Sequence, residues 1–582
     1  VDFKEKGTRE VMADDYIYEV MRLADPLIES PILPILEKYI LGLDEYALLL
    51  RKDLEDIRKK RKEEKGHAYN QTTDEMENPV LLDYRKHPLP GVEKIDDYTY
   101  RIILKTKYPQ FVYWLAMPFF SPVPEEAALF YKQGPLAKKN ITLNRYPVGT
   151  GPYYMAVYNP NMEMILKRNK NFSHETYPAE GEEADTKDGL LEDAGKKLPF
   201  MDEIVFKLEK EAIPRWNKFL QGYYDNSGIT TDSFDQAVTV SVAGRAELTG
   251  MMKEKGIRLL TSVRPSTYYN GFNMLDPVVG GYVEEKQKLR QAISIALDYE
   301  EYIEIFNNGR GIPAHSTLPP GIFGYIEGKD GINPYVYEWD EARNKAQRRP
   351  IEFAKKLMAE AGYPEGRDKK GRPLTIAFDN PWTGPDLTPV VSWYIKKLKP
   401  LGIQLENRTT DYNRFQEKML RGNTQLFAWG WNADYPDPEN FFFLLASSNS
   451  KVKHGGENVS NYSNPAFDRL FRTMENMENT AERLNVIREA LGIVQKDSPW
   501  VWGFHPVAFG LHHQWVKNTK SNAMANNTMK YIKIDAPLRA RFRKEWNTPR
   551  VMPVLIVLAI AALTALPAVI SIWRRIKGNA AR

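Results

Sequence analysis

The segment between Leu374 and Trp431 changes its hydrophobic period repeatedly, and this restricts the fold more than any other feature of the chain. Apolar residues alternate as in strands, then recur at helical spacing, then alternate again. The predicted order is strand, helix, strand, helix, strand, over residues 374–378, 390–401, 403–405, 412–420 and 425–431. Strands joined by helices of this length form a parallel sheet with right-handed crossovers, because each helix packs back on the sheet that it connects. We therefore predict an α/β protein.

The loop after the last of these strands, residues 432–438, is the first candidate for a site. Ligands of open α/β sheets bind beyond the carboxyl ends of the strands. Asp434 stands there between Trp431 and Tyr435 and close to Trp429. A partly desolvated carboxylate favours a cationic partner such as an ammonium group. The same letters also fit a turn in which Asp434 caps backbone amides and the prolines stiffen the chain, and the pattern leaves both interpretations open.

An apolar segment near the end of the chain predicts a transmembrane helix. Residues 551–573 contain no charge, and at about 1.5 Å per residue they span the bilayer core of about 30 Å. A basic tail, 574–582, follows. We favour the tail inside and the large domain outside, a topology that requires an N-terminal export signal. The opening VDFKEKGTRE contains none, so we expect a fragment or a processed product, or else a domain that faces the cytoplasm.

Composition excludes several classes of protein and site. The formal net charge of +4 is spread over 582 residues, which is unlike the basic stripe of a nucleic-acid binder. The absence of cysteine excludes disulfides, thiolate metal sites and cysteine nucleophiles. The eight histidines show no metal-ligand spacing, and the chain contains no P-loop or dinucleotide fingerprint. We therefore expect no metal, no cofactor and no nucleic acid.

Carboxylates and aromatic residues near the strand ends leave two other chemistries open. Asp437 and Glu439 could serve a glycosidase, although spacing in sequence does not establish the separation that such a mechanism needs. Aromatic side chains beside predicted strand ends or turns could stack on sugars or on peptide side chains. These are Tyr268, Tyr269, Trp382, Trp429 and Trp431. Residues 178–199 are acidic and glycine-rich, and we expect an exposed excursion there.

Several short blocks, taken in order, resemble the family 5 extracellular solute-binding proteins of ABC transporters, the peptide, dipeptide and nickel-binding group. The blocks are MADD (12–15), VGTGPY (148–153), PFMDEIVF (199–206), YNGFN (269–273), LRQA (289–292), AEAGYP (359–364), GWNADYPDP (430–438), NYSNP (461–465) and DSPW (497–500). Each block is unspecific alone. Their shared order over about residues 10 to 510 makes the resemblance specific.

This resemblance implies two α/β lobes that close on a ligand about a hinge, together with the extra domain of the larger peptide binders. The implied divisions are an extra domain at 1–146 with the N-terminal part of the fold missing, lobe one at 147–268, lobe two at 269–505, a return to lobe one at 506–546, the transmembrane helix and the basic tail. In peptide-binding relatives the acid that matches Asp434 pairs with the ligand ammonium. Backbone matching Gly430 and Asn432 hydrogen-bonds an extended ligand like an added strand. The further candidates for ligand contact are Trp431, Trp429, Tyr435, Tyr269, Asn270 and Trp382.

The function implied is a non-enzymatic, membrane-tethered receptor on the periplasmic or extracellular face of the bacterial inner membrane. It would capture peptides and deliver them to ABC permease subunits. An oligosaccharide receptor of the same family is one alternative, since sugar-binding members carry much the same motif. A membrane-bound glycosidase and a sensory receptor without transport are the others.

Overall fold

The computed structural model describes residues 8–240, 246–384, 387–525, 527–549 and 551–579. Its first part, up to Ala137, is mostly helical and carries its own apolar core. The elements are α1 Ala13–Leu23, α2 Leu33–Tyr39, α3 Leu43–Lys65, α4 Gln71–Glu77, β1 Val92–Asp96, β2 Thr99–Ile102, α5 Phe111–Trp114, α6 Glu125–Tyr131 and α7 Gly134–Ala137. We call this part the N-terminal unit.

The next part combines a three-stranded antiparallel sheet, β3-β4-β5, with strands that join the central sheet. Its elements are β3 Tyr153–Asn159, β4 Glu163–Arg168, α8 Glu183–Lys187, β5 Glu203–Lys207, α9 Ala212–Leu220, β6 Asn226–Gly228, α10 Phe234–Ala237, β7 Val238–Val240, β8 Ala246–Leu248, α11 Gly250–Glu254 and β9 Ile257–Val263. A separate apolar cluster lies under β9 and α9. We call this part the small unit.

The largest part follows and contains two apolar clusters, one on each face of the central sheet. Its elements are β10 Ser266–Phe272, α12 Glu284–Ala296, α13 Tyr299–Asn307, β11 Gly311–Pro313, β12 Tyr337–Asp340, β13 Lys345–Arg348, α14 Ile351–Glu360, β14 Thr375–Asn380, α15 Thr388–Leu398, β15 Gln404–Thr409, α16 Tyr412–Arg421, β16 Leu426–Asn432, α17 Glu439–Phe442, α18 Lys451–His454, α19 Pro465–Met474, α20 Ala481–Asp497 and β17 Trp500–His513. We call this part, up to the middle of β17, the large unit. The chain ends with β18 Val516–Lys517, β19 Lys533–Ile534, α21 Ala536–Asn547 and α22 Val551–Asn579.

The predicted alternation of strands and helices is confirmed. Strand β14 pairs in parallel with both β15 and β16. Gly402 and Gly422 end the two intervening helical segments with positive φ angles of 72° and 69°, a backbone conformation that glycine adopts without a steric penalty. The parallel arrangement is limited to these three strands, because β10 pairs antiparallel with β16 and with β17. The sheet is therefore mixed.

Two extended segments connect the small unit to the large unit through the central sheet. The amino-terminal half of β17 pairs with β10 and β11, and its carboxyl-terminal half pairs with β9 and β6. The second crossing is the step from β9 to β10 through Arg264 and Pro265, where the Arg264 N–H donates to the Pro506 carbonyl at 2.9 Å. Only these two extended segments carry the central sheet from one unit to the other within the described residues. The predicted lobe boundaries, 268 and 505, fall within β10 and β17, and the division into two lobes stays a prediction.

The N-terminal unit packs against the large unit. Tyr435, from the loop after β16, belongs to the apolar core of the N-terminal unit, and its ring stacks on Tyr113 with 6.0 Å between centroids. Lys38 donates to Asn449 Oδ1 at 2.9 Å across the same boundary. The loop that carries the candidate site is thereby attached to two units.

The acidic segment 178–199 is less exposed than we predicted. Most of its residues face solvent, but Asp185 and Asp193 are buried. Lys520 pairs with Asp185 at 2.8 Å, and Lys533 pairs with Asp193 at 2.8 Å. These ion pairs fold the segment onto the chain that follows β17. The carboxylates thus have structural partners that composition did not reveal.

Within the described residues, one helical stretch is long and apolar enough to cross a membrane, and it includes α22. The side chains of its apolar segment are exposed, Val557 by 64% and Leu563 by 68%. An apolar surface of this extent around a whole helix is typical of a helix that contacts lipid.

Candidate functional site

The carboxyl-terminal half of β16 has an open edge. On one side, β10 pairs with β16 over its whole length, from Leu426 to Asn432. On the other side, the ladder with β14 ends at Phe427. The described residues place no further strand on that edge. Backbone donors and acceptors around Gly430 are therefore available to an added extended segment.

The open edge leads to the crossing between the two units. Asn432 accepts a hydrogen bond from the Ser266 hydroxyl at 2.7 Å, and the Ala433 N–H donates to the Pro265 carbonyl at 2.8 Å. Asp434 follows at once, so it lies beside the segment through which β9 continues into β10. The loop that the strand-end argument selected as a candidate, 432–438, thus begins beside this crossing.

Asn440 holds the Asp434 carboxylate. The Asp434 N–H and the Trp431 indole N–H both donate to Asn440 Oδ1, at 2.8 and 3.1 Å, and Asn440 Nδ2 donates to Asp434 Oδ2 at 3.1 Å. Asn440 is buried at the start of α17, whereas Asp434 is exposed to solvent. Surrounding protein raises the pKa of the Asp434 carboxyl above its ordinary value, and the hydrogen bond from Asn440 acts in the opposite direction. A cation next to Asp434 would relieve this desolvation.

Asp437 and Glu439, the two candidate glycosidase carboxylates, have structural roles. Arg483 donates to both oxygens of Asp437, at 2.7 and 2.8 Å, and both side chains are buried. The Glu439 N–H also donates to Asp437, at 2.9 Å. Glu439 is buried against Tyr435 and Tyr108, and burial raises the pKa of its carboxyl to about 7. Neither carboxylate is therefore free to act on a sugar.

The aromatic candidates on β16 lie on one face of the sheet. Trp429 packs on Phe415 with 5.5 Å between centroids, and Trp431 packs on Phe443 at 5.2 Å. Both are half-buried. They form a wall beside the open edge, while Gly430 and Asn432 point to the opposite face.

Gly430 lies against Tyr268 of β10. A Cβ atom built on Gly430 would come within 2.6 Å of the Tyr268 ring, so only glycine fits without displacing that ring. Tyr268 is 41% exposed and stacks on Phe504 at 5.2 Å. Tyr268 is thus an accessible aromatic on β10, beside Gly430 on the paired side of β16.

Three of the predicted contact residues lie in the interior. Tyr269 stacks on Trp500 with 3.6 Å between centroids and is 2% exposed. Asn270 accepts hydrogen bonds from the Tyr299 and Tyr394 hydroxyls, at 2.5 and 3.2 Å. As described above, Tyr435 lies in the core of the N-terminal unit. These three side chains are packed in the interior and do not reach the open edge.

Trp382 takes an intermediate position. It is half-buried, packs against Phe378 with 5.7 Å between centroids, and follows the end of β14. Since β14 is the strand next to the open edge, Trp382 flanks the space in which an added segment would lie.

Sequence reasoning missed Asn440, Ser266 and Arg483. Asn440 stands six residues after Asp434 and Ser266 is far away along the chain, so no local pattern joined them to the site. Arg483 is one of two arginines on α20, and the sequence does not distinguish it from the exposed Arg488. The D-Y-P-D-P letters did carry a signal for Asp437, because a carboxylate between prolines is commonly structural.

The buried histidines have structural partners, and the described part of the chain has no group of three or more His, Asp or Glu side chains placed to bind a metal ion. His505 Nδ1 donates to the Ser266 carbonyl at 3.0 Å, and His513 Nε2 donates to the Phe219 carbonyl at 2.8 Å. Burial lowers the pKa of each imidazole to about 4, so both are neutral at physiological pH. The candidate site is the open edge of β16 with one carboxylate, Asp434, just beyond its end.

Comparison with characterised proteins identifies the same family that the sequence blocks resemble. The sequence profile of the family described as "Bacterial extracellular solute-binding proteins, family 5 Middle" matches residues 7–453. Heme-binding protein A of Haemophilus influenzae is 27% identical over 72% of this chain and 65% of its own length. The chain thus spans just under two thirds of that relative. The periplasmic oligopeptide-binding protein OppA of Salmonella typhimurium is 23% identical over 87% of this chain and 75% of its own length.

Solved structures share the fold. A dipeptide-binding protein from a Pseudoalteromonas species, in complex with Met-Leu, superposes with a TM-score of 0.60 at 18% identity, covering 92% of this chain and 85% of its own. The binding protein DppA of Helicobacter pylori, in complex with the peptide STSA, gives a TM-score of 0.57 at 21% identity, covering 80% and 79%. Such neighbours are two-lobed, mixed α/β periplasmic binding proteins. This chain belongs to the family 5 bacterial extracellular solute-binding proteins.

Proposed function

We propose that this protein is the non-enzymatic, peptide-binding component of an ABC importer, tethered to the membrane by α22. The large and small units would be the two lobes, with the crossings at Pro265 and Pro506 as the hinge. The observation that carries the proposal is the open edge of β16, which ends at Asp434 beside this hinge.

An extended peptide fits the open edge by strand addition. Main-chain hydrogen bonds to the backbone around Gly430 would hold a ligand whatever its side chains are, and this gives affinity without sequence specificity. Trp429 and Trp431 would line one face, and Trp382 would flank the added segment on the side of β14. The relatives named for oligopeptides and the neighbour solved with Met-Leu support a peptide ligand.

Asp434 would pair with the ligand ammonium group. Asn440 orients the carboxylate, and the protein around it already disfavours its charged form. Closure of the two lobes would remove water from the pair and strengthen the attraction. A ligand without a free amine would leave the carboxylate desolvated and unpaired, which is costly.

The other candidate functions lack comparable support. A glycosidase would need a free carboxylate pair, and Arg483 and the Tyr435 hydroxyl already occupy Asp437 and Glu439. An oligosaccharide would use the tryptophans for stacking, but it would not use the open backbone edge. We also propose delivery to permease subunits at the outer face of the membrane, and the family and the apolar helix α22 support this part of the proposal.

Titration calorimetry on the purified chain tests the proposal with four ligands: a free-amine tetrapeptide, its N-acetylated form, a trisaccharide and heme. We expect the free peptide to bind, the acetylated peptide to bind much more weakly, and the other two not to compete. Mass spectrometry of ligand that co-purifies with the protein supplies an independent reading. Binding of the trisaccharide or of heme in place of the peptide would contradict the proposal.

A further inference from the structure

The helix that precedes the apolar segment is packed firmly on the small unit. On α21, Phe542 and Trp546 pack with Trp515, which is fully buried, at centroid distances of 6.2 and 5.6 Å. His513, at the end of β17, stacks on Trp515 at 4.0 Å and contacts Trp546 at 5.4 Å. Aromatic side chains that pack together in this way bury a large apolar surface. One face of α21 is therefore part of the small unit's surface layer.

Polar contacts fix both ends of α21. At its start, Asp535 caps the helix by accepting from the Leu538 N–H at 3.0 Å, and the Asp535 N–H donates to the Trp515 carbonyl at 2.9 Å. At its end, Asn547 Nδ2 donates to the Gln221 carbonyl at 2.9 Å. In between, Arg539 pairs with Asp225 at 3.2 Å. A helix held at both ends and along one face does not swing as a flexible linker would.

The backbone at Gly222 lies close to α21. Gly222 has a φ angle of +78°, and a Cβ atom there would lie 3.0 to 3.4 Å from side-chain atoms of Arg543, Trp515 and Trp546. A larger residue would push α21 outward. The packing between α21 and the small unit thus leaves no room for a side chain at this point.

The membrane end of α21 carries aromatic and basic side chains together. Arg543 lies over the Tyr223 ring at 4.8 Å, and Lys255 lies over the Trp546 ring at 4.1 Å. Tyr223 is 50% exposed. Thr548 is extended, and α22 begins at Val551, only a few residues beyond Trp546. Tryptophan and tyrosine are enriched where proteins meet the headgroup layer, and cations there are attracted to lipid phosphates.

We propose that this patch, formed by Tyr223, Lys255, Arg543 and Trp546, is a lipid-contact surface that rests on the headgroup layer of the bilayer. With α21 as a rigid stalk, the small unit would be fixed on the membrane, and ligand-driven closure would move the large unit and the N-terminal unit. The inference rests on the membrane tether in the proposed function, but it does not depend on which ligand binds.

A site-specific label tests the proposal, because the chain contains no cysteine. Gln221→Cys introduces one thiol at an exposed position next to the patch, and Lys369→Cys introduces one on an exposed turn of the large unit. Each full-length variant is labelled with a fluorophore and reconstituted into vesicles whose lipids carry a quencher near the headgroup. We expect a loss of emission at position 221 and none at position 369.

A second variant separates the stalk from the tether. A flexible Gly/Ser linker inserted between Thr548 and Pro549 leaves α22 intact but disconnects it from α21. We expect the quenching at position 221 to be lost while the protein still sediments with vesicles. In the protein without the linker, unquenched emission at 221 together with sedimentation would overturn the lipid-contact surface and leave the tether standing. A protein that does not sediment with vesicles would overturn both, while calorimetry would still report on peptide binding.

Discussion

The buried ion pair between Arg483 and Asp437 gives the sharpest stability prediction. Arg483 comes from α20 and Asp437 from the loop after β16, so the pair fixes the loop that carries Asp434. Replacing Arg483 by methionine keeps most of the side-chain volume but removes the positive charge. Asp437 is then left buried with only the Glu439 N–H and the Gln110 amide as donors.

The expected cost follows from the burial of both partners. Removing one member of a buried pair costs about 3 to 5 kcal/mol, since the remaining charge loses its partner without regaining water. At about 1.4 kcal/mol for each factor of ten, local protection against hydrogen exchange should fall by about two to three and a half powers of ten. The amides to follow are those of Phe441, Phe442 and Phe443, which donate to carbonyls within this loop and α17.

Hydrogen exchange with mass spectrometry measures this effect in the native protein. Arg488→Met is the matched control, because Arg488 lies on the same helix but is exposed. The double variant Arg483→Met/Asp437→Leu should lose much less protection than either single change, since no unpaired charge remains. Equal protection in Arg483→Met and Arg488→Met would refute the reasoning that this pair holds the loop.

Three further predictions concern the same region. Glu439→Gln should make the free energy of unfolding less dependent on pH. Between about pH 4.5 and 7 the native state keeps a proton on Glu439 that the unfolded chain releases, so the free energy of unfolding of the wild-type protein falls by up to about 3 kcal/mol as pH rises. Urea titrations across this range should show a flatter profile for the variant. Gly430→Ala should displace the Tyr268 ring and weaken peptide binding in calorimetry, with an overpacking cost of about 1 to 3 kcal/mol, whereas Gly492→Ala, where a Cβ meets nothing, should have no effect. Asn440→Ala leaves the Trp431 indole and the Asp434 amide without their acceptor, and should lower peptide affinity by about 1 to 3 kcal/mol.

Hydrophobic periodicity predicted the strands and helices of this part of the large unit, because their buried side chains recur with the period of the element that carries them. The three parallel strands lie where the pattern placed them. Apolar residues also recur at helical spacing in the segment 289–305, but the structure divides this segment between α12 and α13. Asp298 separates the two, since its side chain caps α13 by accepting from the Glu301 N–H at 3.0 Å. A capping residue inside an apolar period is visible only when its partner is known.

The candidate site follows from the sequence in its position but not in its detail. The rule that ligands bind beyond strand ends pointed to the loop 432–438, and the structure places Asp434 of this loop beside Pro265. Tyr269 and Asn270 were assigned to the site because they belong to the block YNGFN, one of those that resemble the family. Their neighbour Tyr268 is the residue that the structure exposes. The face on which a strand residue lies depends on the register between β10 and β16, and sequence does not give that register. Asn440 was missed for a similar reason, since its role depends on a turn that brings it back to Asp434.

The most direct test of the central claim combines one substitution with one chemical change in the ligand. Asp434→Asn keeps the shape of the side chain and removes its charge, with Asp330→Asn as an exposed control. Calorimetry with a free-amine peptide should show a loss of about 2 to 5 kcal/mol for Asp434→Asn and none for the control. With the N-acetylated peptide, the wild-type protein and Asp434→Asn should bind equally weakly. The same loss for both peptides, or no loss for either while the peptide still binds, would contradict the pairing of Asp434 with the ligand ammonium group.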